Sequence, residues 1–350
     1  MERSKEKGMA VTMNPESTNL LEVKHLTTEF ETEQGTVKAV RDVSFTVKKG
    51  EILGIVGESG SGKSQAMYSV MGLLARNGVV KEGSMLFDGH DISPLSFEGG
   101  LKAYDKYMQG VRGNTLSMIF QDPMSFLNPV LNIETQLVEP MLNHMKISRK
   151  EAREKAIELL RQVGIPSPET RLRQYPHEFS GGMRQRIIIA IALACNPKLI
   201  IADEPTTALD VTIQAKILQL IKDMQRKSGS SVILITHDLG VVANMCSRIV
   251  IMYGGKIVEV GTADEIFFQP HHPYTSGLLA CVNNPEEEDK ELQPIPGSPP
   301  DLLKPPAGCP FVDRCSCAMR ICKDYMPEMT ELSPTHRCAC WLEQKKEVLA

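Results

Sequence analysis

The amino-acid sequence predicts an α/β fold built on a largely parallel sheet, because short apolar strands alternate with helices along much of the chain. A glycine-rich segment, residues 57–64, follows a predicted strand and opens a predicted helix, as phosphate-binding loops do. Near residue 281 the composition changes, and a proline-rich, charged stretch precedes six of the nine cysteines. We therefore expect one large α/β domain followed by a small Cys-rich C-terminal domain.

Length and composition limit the class of protein. With 350 residues, 42% hydrophobic and 23% charged, the chain has the composition of a globular protein with room for a buried core. Its net charge of -4 does not favour a nucleic-acid partner. The N-terminus lacks the apolar core of a secretion signal, and the longest apolar run, residues 187–195, is too short to span a bilayer. We expect a cytosolic chain in which structural disulfides are disfavoured.

The predicted elements follow from the spacing of apolar residues. LLEVKHLTTEF and TVKAVRDVSFTV have strand patterns, EILGIVG suits a buried strand, and SQAMYSVMGLLA has helical spacing. Residues 131–163 have a helical pattern, with Ser148 and Glu151 as a capping box and Gly164 as the stop. Further strands are predicted at 198–203 and 231–238, and further helices at 183–195 and 212–229.

The segment GESGSGKS, residues 57–64, fits the phosphate-binding pattern G-x-x-x-x-G-K-S. Its glycines let the backbone wrap around phosphate, while backbone amides and a helix N-terminus present positive charge. Lys63 would reach the β- and γ-phosphates, and the Ser64 hydroxyl would ligate Mg²⁺. A simple Gly-Ser turn that caps a helix is the alternative. The candidate ATP-binding residues here are Gly57, Ser59, Gly60, Ser61, Gly62, Lys63, Ser64 and Gln65.

Two acids end the predicted strand LIIADEP, residues 199–205. Asp203 is placed to hold Mg²⁺, as the corresponding acid of a P-loop ATPase does. Glu204 is placed to orient and deprotonate an attacking water. A helix N-cap pair is the alternative for the dipeptide alone, and the phosphate loop upstream favours the ATPase interpretation.

Between these two segments, FSGGMRQR, residues 179–186, resembles the signature of ABC-transporter ATPases, which is written LSGGQ. Phe179 and Met183 depart from that pattern, whereas Ser180, Gly181 and Gly182 match it. The resemblance implies a P-loop NTPase fold with a mixed core sheet and a helical insert at about residues 121–180. It also implies a head-to-tail pair of ATPase units, in which the signature of each unit contacts the partner's ATP.

The other motifs of that family appear in order. Gln121 in MIFQDP matches the glutamine that reaches Mg²⁺ and the attacking water, and His237 in ITHD matches the switch histidine. Residues 208–210, ALD, match the loop at the dimer seam. Phe30 lies where the family places an aromatic residue on adenine, although a strand aromatic is as often a core residue. The resemblance thus implies Glu204, His237 and Gln121 as catalytic residues, and Ser64, Gln121 and Asp203 as Mg²⁺ ligands.

Two C-terminal segments narrow the resemblance. QPHHPYTSGLL, residues 269–279, and IPGSPPDLLKPPAGCPFVDRC, residues 295–315, resemble the C-terminal extension of dipeptide and oligopeptide importer ATPases. The resemblance implies the first of two paralogous ATPases, working with two permease subunits and an extracytoplasmic peptide-binding protein at the cytoplasmic face of the membrane. An ATPase of a nickel or other small-solute importer is the alternative, although such subunits generally lack the cysteine-rich segment.

That subgroup carries a 4Fe–4S cluster, and the match implies Cys309, Cys315, Cys322 and Cys340 as its ligands. Cys317 and Cys338 are then additional cysteines, with Cys338 as the alternative fourth ligand, and zinc is the alternative metal. We expect the cluster to be structural rather than a redox sensor, because a small segment with few large apolar residues needs a cross-link. The expected organisation is a flexible N-terminus (1–19), an ATP-binding domain (20–268) and the C-terminal extension (269–350).

Overall fold

The computed structural model describes residues 18–122, 126–207, 210–281 and 294–344. The strands are β1 (Asn19–Thr32), β2 (Gly35–Lys48), β3 (Ile52–Val56), β4 (Gly78–Phe87), β5 (His90–Asp91), β6 (Leu116–Ile119), β7 (Leu199–Asp203), β8 (Ser231–Thr236), β9 (Arg248–Tyr253), β10 (Lys256–Thr262), β11 (Thr330–Glu331) and β12 (Arg337–Cys338). The helices are α1 (Lys63–Met71), α2 (Gly100–Val111), α3 (Ile133–His144), α4 (Arg149–Gln162), α5 (Pro168–Arg171), α6 (Gly181–Leu193), α7 (Val211–Ser228), α8 (Leu239–Met245), α9 (Ala263–Phe268), α10 (Pro273–Ala280) and α11 (Ile321–Asp324). Short 3₁₀ turns span Pro94–Ser96, Pro176–Glu178 and Val312–Arg314.

Within the described residues, the larger sheet has the strand order β11-β12-β10-β9-β3-β8-β7-β6. Its central strands pair in parallel, whereas β10, β12 and β11 pair antiparallel at one edge. Strands β3, β7 and β8 are buried along their whole length, as expected for parallel strands covered on both faces. The predicted α/β fold is confirmed, and the sheet is mixed.

A second sheet, antiparallel, has the order β2-β1-β4-β5. The sequence patterns predicted β1 and β2 but missed β4, whose residues alternate too irregularly between buried and exposed positions. They also missed α2, although this helix buries Tyr104 and Met108 on one side. The second sheet matters for function because Phe30, at the end of β1, and Ala39, in β2, face the phosphate loop.

The predicted helical region 131–163 contains two helices, α3 and α4, which are separated between His144 and Arg149. Ser148 begins α4 with the predicted capping box, in which Glu151 N donates to Ser148 Oγ (3.3 Å) and Ser148 N donates to Glu151 Oε2 (2.7 Å). The capping box thus marks the start of the second helix, as the sequence predicted.

The C-terminal segment 294–344 packs directly on the larger sheet. Strand β12 pairs with β10, where Cys338 lies opposite Glu259. Cys309, Phe311 and Val312 belong to the same hydrophobic core as the central strands. A separate Cys-rich domain is therefore not confirmed, since this segment extends an existing sheet and shares its core.

Candidate functional site

The segment GESGSGKS connects β3 to α1 and wraps closely against its neighbours. A Cβ on Gly57 would lie 2.1 Å from the carbonyl oxygen of Met252, and one on Gly62 would lie 2.4 Å from that of Ala39. Gly62 also has a φ of 96°, which disfavours any residue with a side chain. Glycine is thus required at both positions for the loop to take this shape.

Lys63, the first residue of α1, folds back over the loop. Its Nζ donates to the carbonyl oxygens of Gly57 (2.7 Å) and Glu58 (2.8 Å). Burial lowers the pKa of Lys63, while the nearby carboxylates of Glu204, Asp203 and Glu58 oppose that change. The ammonium group is therefore held beside the loop by acceptors that phosphate oxygens could replace.

The loop lines an open cavity of about 490 Å³. Its wall contains most of the predicted ATP-binding residues and two of the predicted catalytic residues. The lining residues are Phe30, Val37, Ala39, Ser59, Gly60, Ser61, Gly62, Lys63, Ser64, Gln65, Tyr68, Gln121 and Glu204. Gly57 lies beneath this surface and supplies its carbonyl oxygen to Lys63. Val37, Ala39 and Tyr68 were not predicted, because none of them belongs to a recognisable motif.

Asp203 lies at the end of β7 and is completely buried. Ser64 Oγ donates to its Oδ1 at 2.9 Å, whereas Oδ2 has no hydrogen-bond partner among the described residues. Burial is the main cause that raises the pKa of Asp203, and the neighbouring Glu204 adds to it. A buried carboxylate with a spare oxygen beside a serine hydroxyl fits Mg²⁺, which prefers hard oxygen ligands. When bound, Mg²⁺ neutralises phosphate charge.

Three side chains contact the carboxylate of Glu204, and they come from the loops that follow β6, β7 and β8. Gln121 Nε2 donates to Oε2 at 3.0 Å, Thr207 Oγ1 donates to the same oxygen at 2.9 Å, and His237 Nδ1 lies 3.3 Å from Oε1. The backbone of Glu204 has a φ of 44°, a strained conformation that occurs most often at functional sites. Glu204 can thus accept a proton at the edge of the cavity while neighbouring donors fix its orientation.

The SGG segment begins α6, where Ser180 Oγ accepts a hydrogen bond from Met183 N at 3.4 Å. Ser180, Gly181 and Gly182 do not line the cavity at Lys63. In the ALD segment, Asp210 caps α7 by accepting from Ile213 N at 2.9 Å, while Ala208 and Leu209 lie outside the described residues. The SGG helix start therefore does not contribute to the cavity that its own phosphate loop lines.

The C-terminal cysteines converge at a second place. Cys309, Cys315, Cys317, Cys322 and Cys340 line one small cavity, together with apolar side chains such as Trp341. Cys338 is buried but does not line it. No group of three or more His, Cys, Asp or Glu side chains in the described part of the chain is arranged as a formed metal site.

Burial acts on the pKa of three of the thiols around this cavity, those of Cys309, Cys315 and Cys340. Burial raises the pKa of Cys309 to about 12 and that of Cys340 to about 11, and neighbouring cysteines contribute to both shifts. The pKa of Cys315 is also raised by burial. Such thiols are unreactive by themselves, whereas a bound metal would deprotonate them.

A phosphate loop between a buried strand and a helix, paired acids at the end of β7 and an SGG helix start together define the class of ABC ATPases. Residues 40–207 match the family model for the ABC transporter, and residues 258–322 match that for the C-terminal region of oligopeptide/dipeptide transporters. Among solved structures, this chain resembles a dimeric ATP-binding cassette in a post-hydrolysis state bound to ADP and Pi. The match covers 69% of this chain and 98% of that structure, at 28% identity and a TM-score of 0.60.

Curated relatives extend the match to nearly the whole chain. The oligopeptide transport ATP-binding protein OppD of Bacillus subtilis is 54% identical over 93% of this chain and 89% of its own length. The dipeptide transport ATP-binding protein DppD of the same organism is 53% identical over 93% of this chain and 96% of its own length. This chain belongs to the ATP-binding subunits of the oligopeptide/dipeptide ABC transporter family.

Proposed function

We propose that this chain hydrolyses ATP and thereby powers the import of dipeptides or oligopeptides. The proposal rests on the presence of two features in the same chain. One is a cavity that unites the phosphate loop with Gln121 and Glu204, and the other is the C-terminal match to peptide transporters. Glu204 accepts the proton of the attacking water, Gln121 and His237 orient the reacting groups, and Lys63 binds phosphate.

Peptide uptake tests the substrate class. The chain is assembled in vesicles with its permeases, its second ATPase and the binding protein, and uptake of a labelled dipeptide and a labelled oligopeptide is compared with uptake of Ni²⁺. We expect ATP-dependent peptide uptake that Lys63→Ala abolishes. Lys81→Ala, which removes only an exposed partner of Glu29, is the matched control and retains uptake. Nickel uptake without peptide uptake would favour the alternative importer.

Two ATPase units are part of this proposal. The signature residues Ser180, Gly181 and Gly182 lie outside the cavity of their own chain, and the structural relative bound to ADP and Pi is a dimer. We expect Ser180 to serve the ATP of a paralogous second ATPase, and this chain to be the first of the pair. The isolated chain should then hydrolyse ATP slowly, because its own site lacks a second signature.

The same family relation supports a position beside a membrane. Among the described residues, no helix combines the length and the apolar character that crossing a bilayer requires. The proposed arrangement is a peripheral subunit at the cytoplasmic face, bound to two permease subunits, with helices α3 to α5 in the insert (about 121–180) as the docking region. The proposed organisation remains 1–19, 20–268 and 269–350.

A 4Fe–4S cluster is the proposed cofactor of the C-terminal extension. Its support is that the four predicted ligands, Cys309, Cys315, Cys322 and Cys340, line one cavity enclosed by apolar side chains. Cys338, which was the competing fourth ligand, lies outside that lining. Cys317 also lines the cavity, which therefore offers the four thiols that such a cluster needs and a fifth beside them.

A further inference from the structure

Arg314, in the C-terminal segment, makes a direct ion pair with Glu58 of the phosphate loop. Its Nη1 donates to Glu58 Oε2 at 2.7 Å and its Nη2 donates to Oε1 at 3.1 Å, which is a two-point contact between guanidinium and carboxylate. The side chain of Arg314 is only 6% exposed and that of Glu58 is 26% exposed, so solvent screens this pair less than a surface ion pair. The two residues are 256 positions apart in the chain.

Arg314 uses all five of its N–H donors, the full number that a guanidinium has. Besides the two bonds to Glu58, Nη1 donates to Tyr253 Oη (2.9 Å), Nη2 donates to Ile295 O (3.1 Å) and Nε donates to Pro296 O (2.8 Å). These acceptors come from β9 and from the beginning of the described segment 294–344. Three acceptors outside the phosphate loop therefore hold the guanidinium in place beside Glu58.

The C-terminal extension contacts Glu58 at a second point, through Tyr274. Its backbone N–H donates to Tyr274 Oη in α10 at 2.9 Å, and its carbonyl oxygen accepts from Lys63 Nζ. The Tyr274 side chain is fully buried against Tyr253, with ring centroids 4.5 Å apart. Glu58 does not line the ATP cavity, so neither Arg314 nor Tyr274 can contact the nucleotide through it. Both act on the shape of the loop.

We infer that Arg314 is a positioning residue for ATP binding, which holds the phosphate loop in its binding shape through Glu58 and makes the ATP site depend on the C-terminal extension. The inference rests on the proposed ATPase function and concerns the same site. A phosphate loop binds through backbone amides that must already point to one place, and an unrestrained loop would lose entropy when ATP orders it. That loss lowers the affinity for ATP more than it changes the chemical step.

The test compares Arg314→Ala, Glu58→Gln and the double variant in the full-length chain. We expect each single variant to weaken equilibrium binding of trinitrophenyl-ATP by roughly 5–20-fold, since Arg314→Ala leaves Glu58 without its partner and Glu58→Gln removes the charge that Arg314 binds. The double variant should lose about as much as the worse single variant, because both changes break one contact. In the assembled transporter, KM for ATP should rise by a similar factor while kcat stays within about twofold.

Two controls keep the outcome decisive. Lys24→Ala removes an exposed lysine that pairs with Glu22 on β1, and its ATP affinity should match the wild type. If Arg314→Ala melts at a much lower temperature, Glu58→Gln decides, because it leaves the other three hydrogen bonds of Arg314 intact. Affinity within twofold of wild type in Glu58→Gln, or additive losses in the double variant, overturns the inference. Hydrolysis that survives Lys63→Ala contradicts the proposed function instead.

Discussion

At the level of single residues, two adjacent acids have different roles because their carboxylates face different surroundings. Asp203 is fully buried, bonded to Ser64 and left with one oxygen without a partner among the described residues. Glu204 is at the cavity surface, where side chains of Gln121, Thr207 and His237 surround it. The first environment suits a cation and the second suits proton transfer.

Glu204→Gln should separate binding from hydrolysis. The amide keeps the size of the side chain and most of its hydrogen bonds but cannot take a proton from water. We expect turnover to fall by roughly 10²–10⁴-fold, while equilibrium ATP binding stays near the wild-type value. Phosphate release is measured in the assembled transporter with the partner's site inactivated, and near-normal release would show that Glu204 is not the base.

Thr206→Ala is the matched control for that variant. Thr206 lies two residues from Glu204 in the same turn, and the structure assigns its carbonyl oxygen, rather than its side chain, a hydrogen bond from Gln214. We expect phosphate release close to the wild-type rate. A loss as large as that of Glu204→Gln would mean that any disturbance of this turn stops hydrolysis.

Single residues also show what motif analysis can and cannot predict. Gln121, Glu204 and His237 could be selected in advance because each belongs to a short local pattern, and the fold brings them together. Thr207, Arg314 and Tyr274 could not, because their contacts depend on the tertiary packing of distant segments. No local signal marks Arg314 as a partner of a loop 256 positions away.

At the level of elements, the parallel core strands were predictable because a strand buried on both faces leaves an uninterrupted apolar run. Strands β3, β7 and β8 are of this kind. Strand β12 was not predictable, since it has two residues and exists through its pairing with β10. The attachment of the C-terminal segment to the larger sheet is thus a tertiary property that a two-residue pattern cannot encode.

Glu259 on β10 should make the stability of this C-terminal attachment depend on pH. Its fully buried carboxylate accepts hydrogen bonds from His336 Nε2 (2.8 Å), His271 N (2.8 Å) and His272 N (3.1 Å). Burial raises the pKa of Glu259, but these bonds outweigh it and leave the pKa below its usual value of 4.5. A lowered pKa means that the stabilisation is complete above the unfolded-state pKa and is lost as pH falls through the folded-state pKa.

Glu259→Gln should therefore lower stability most at neutral pH. We expect a loss of about 1–3 kcal/mol at pH 7, because a buried network loses its charged acceptor. The difference from wild type should narrow as the pH falls below about 4.5, where the carboxylate begins to gain a proton in the unfolded chain, and should vanish below the lower folded-state pKa. Urea unfolding at several pH values measures both, with Glu82→Gln, an exposed residue, as the control. An equal deficit at every pH would exclude this linkage.

At the level of the whole molecule, the C-terminal extension contacts the ATPase core at several separate places. Strand β12 extends the larger sheet, Arg314 binds the phosphate loop, and Arg41 Nη2 donates to Pro306 O at 2.9 Å. The cysteine cavity is linked to the first two through the chain, since its lining includes Cys315, which follows Arg314, and Cys340, which follows β12. Loss of order at the cysteines would therefore disturb both attachments.

The proposed cluster predicts both the metal content and the effect of each cysteine. Purified without oxygen, the full-length chain should contain about four iron atoms, because four thiolates hold one cubane cluster. Serine at Cys309, Cys315, Cys322 or Cys340 removes a ligand and should strongly deplete the iron. Cys338→Ser is the matched control, because Cys338 is buried in the same segment but does not line the cavity.

Metal analysis and limited proteolysis decide between the alternatives. If the cluster is structural, the ligand variants should be cleaved faster within residues 294–344, while Cys338→Ser and Cys317→Ser keep their iron and their resistance. One zinc per chain without iron would replace the cluster with the alternative metal. Iron that is lost in Cys338→Ser and kept in Cys340→Ser would mean that the fourth ligand is Cys338. Since Arg314 precedes Cys315, iron depletion should also weaken ATP binding, in the same direction as Arg314→Ala.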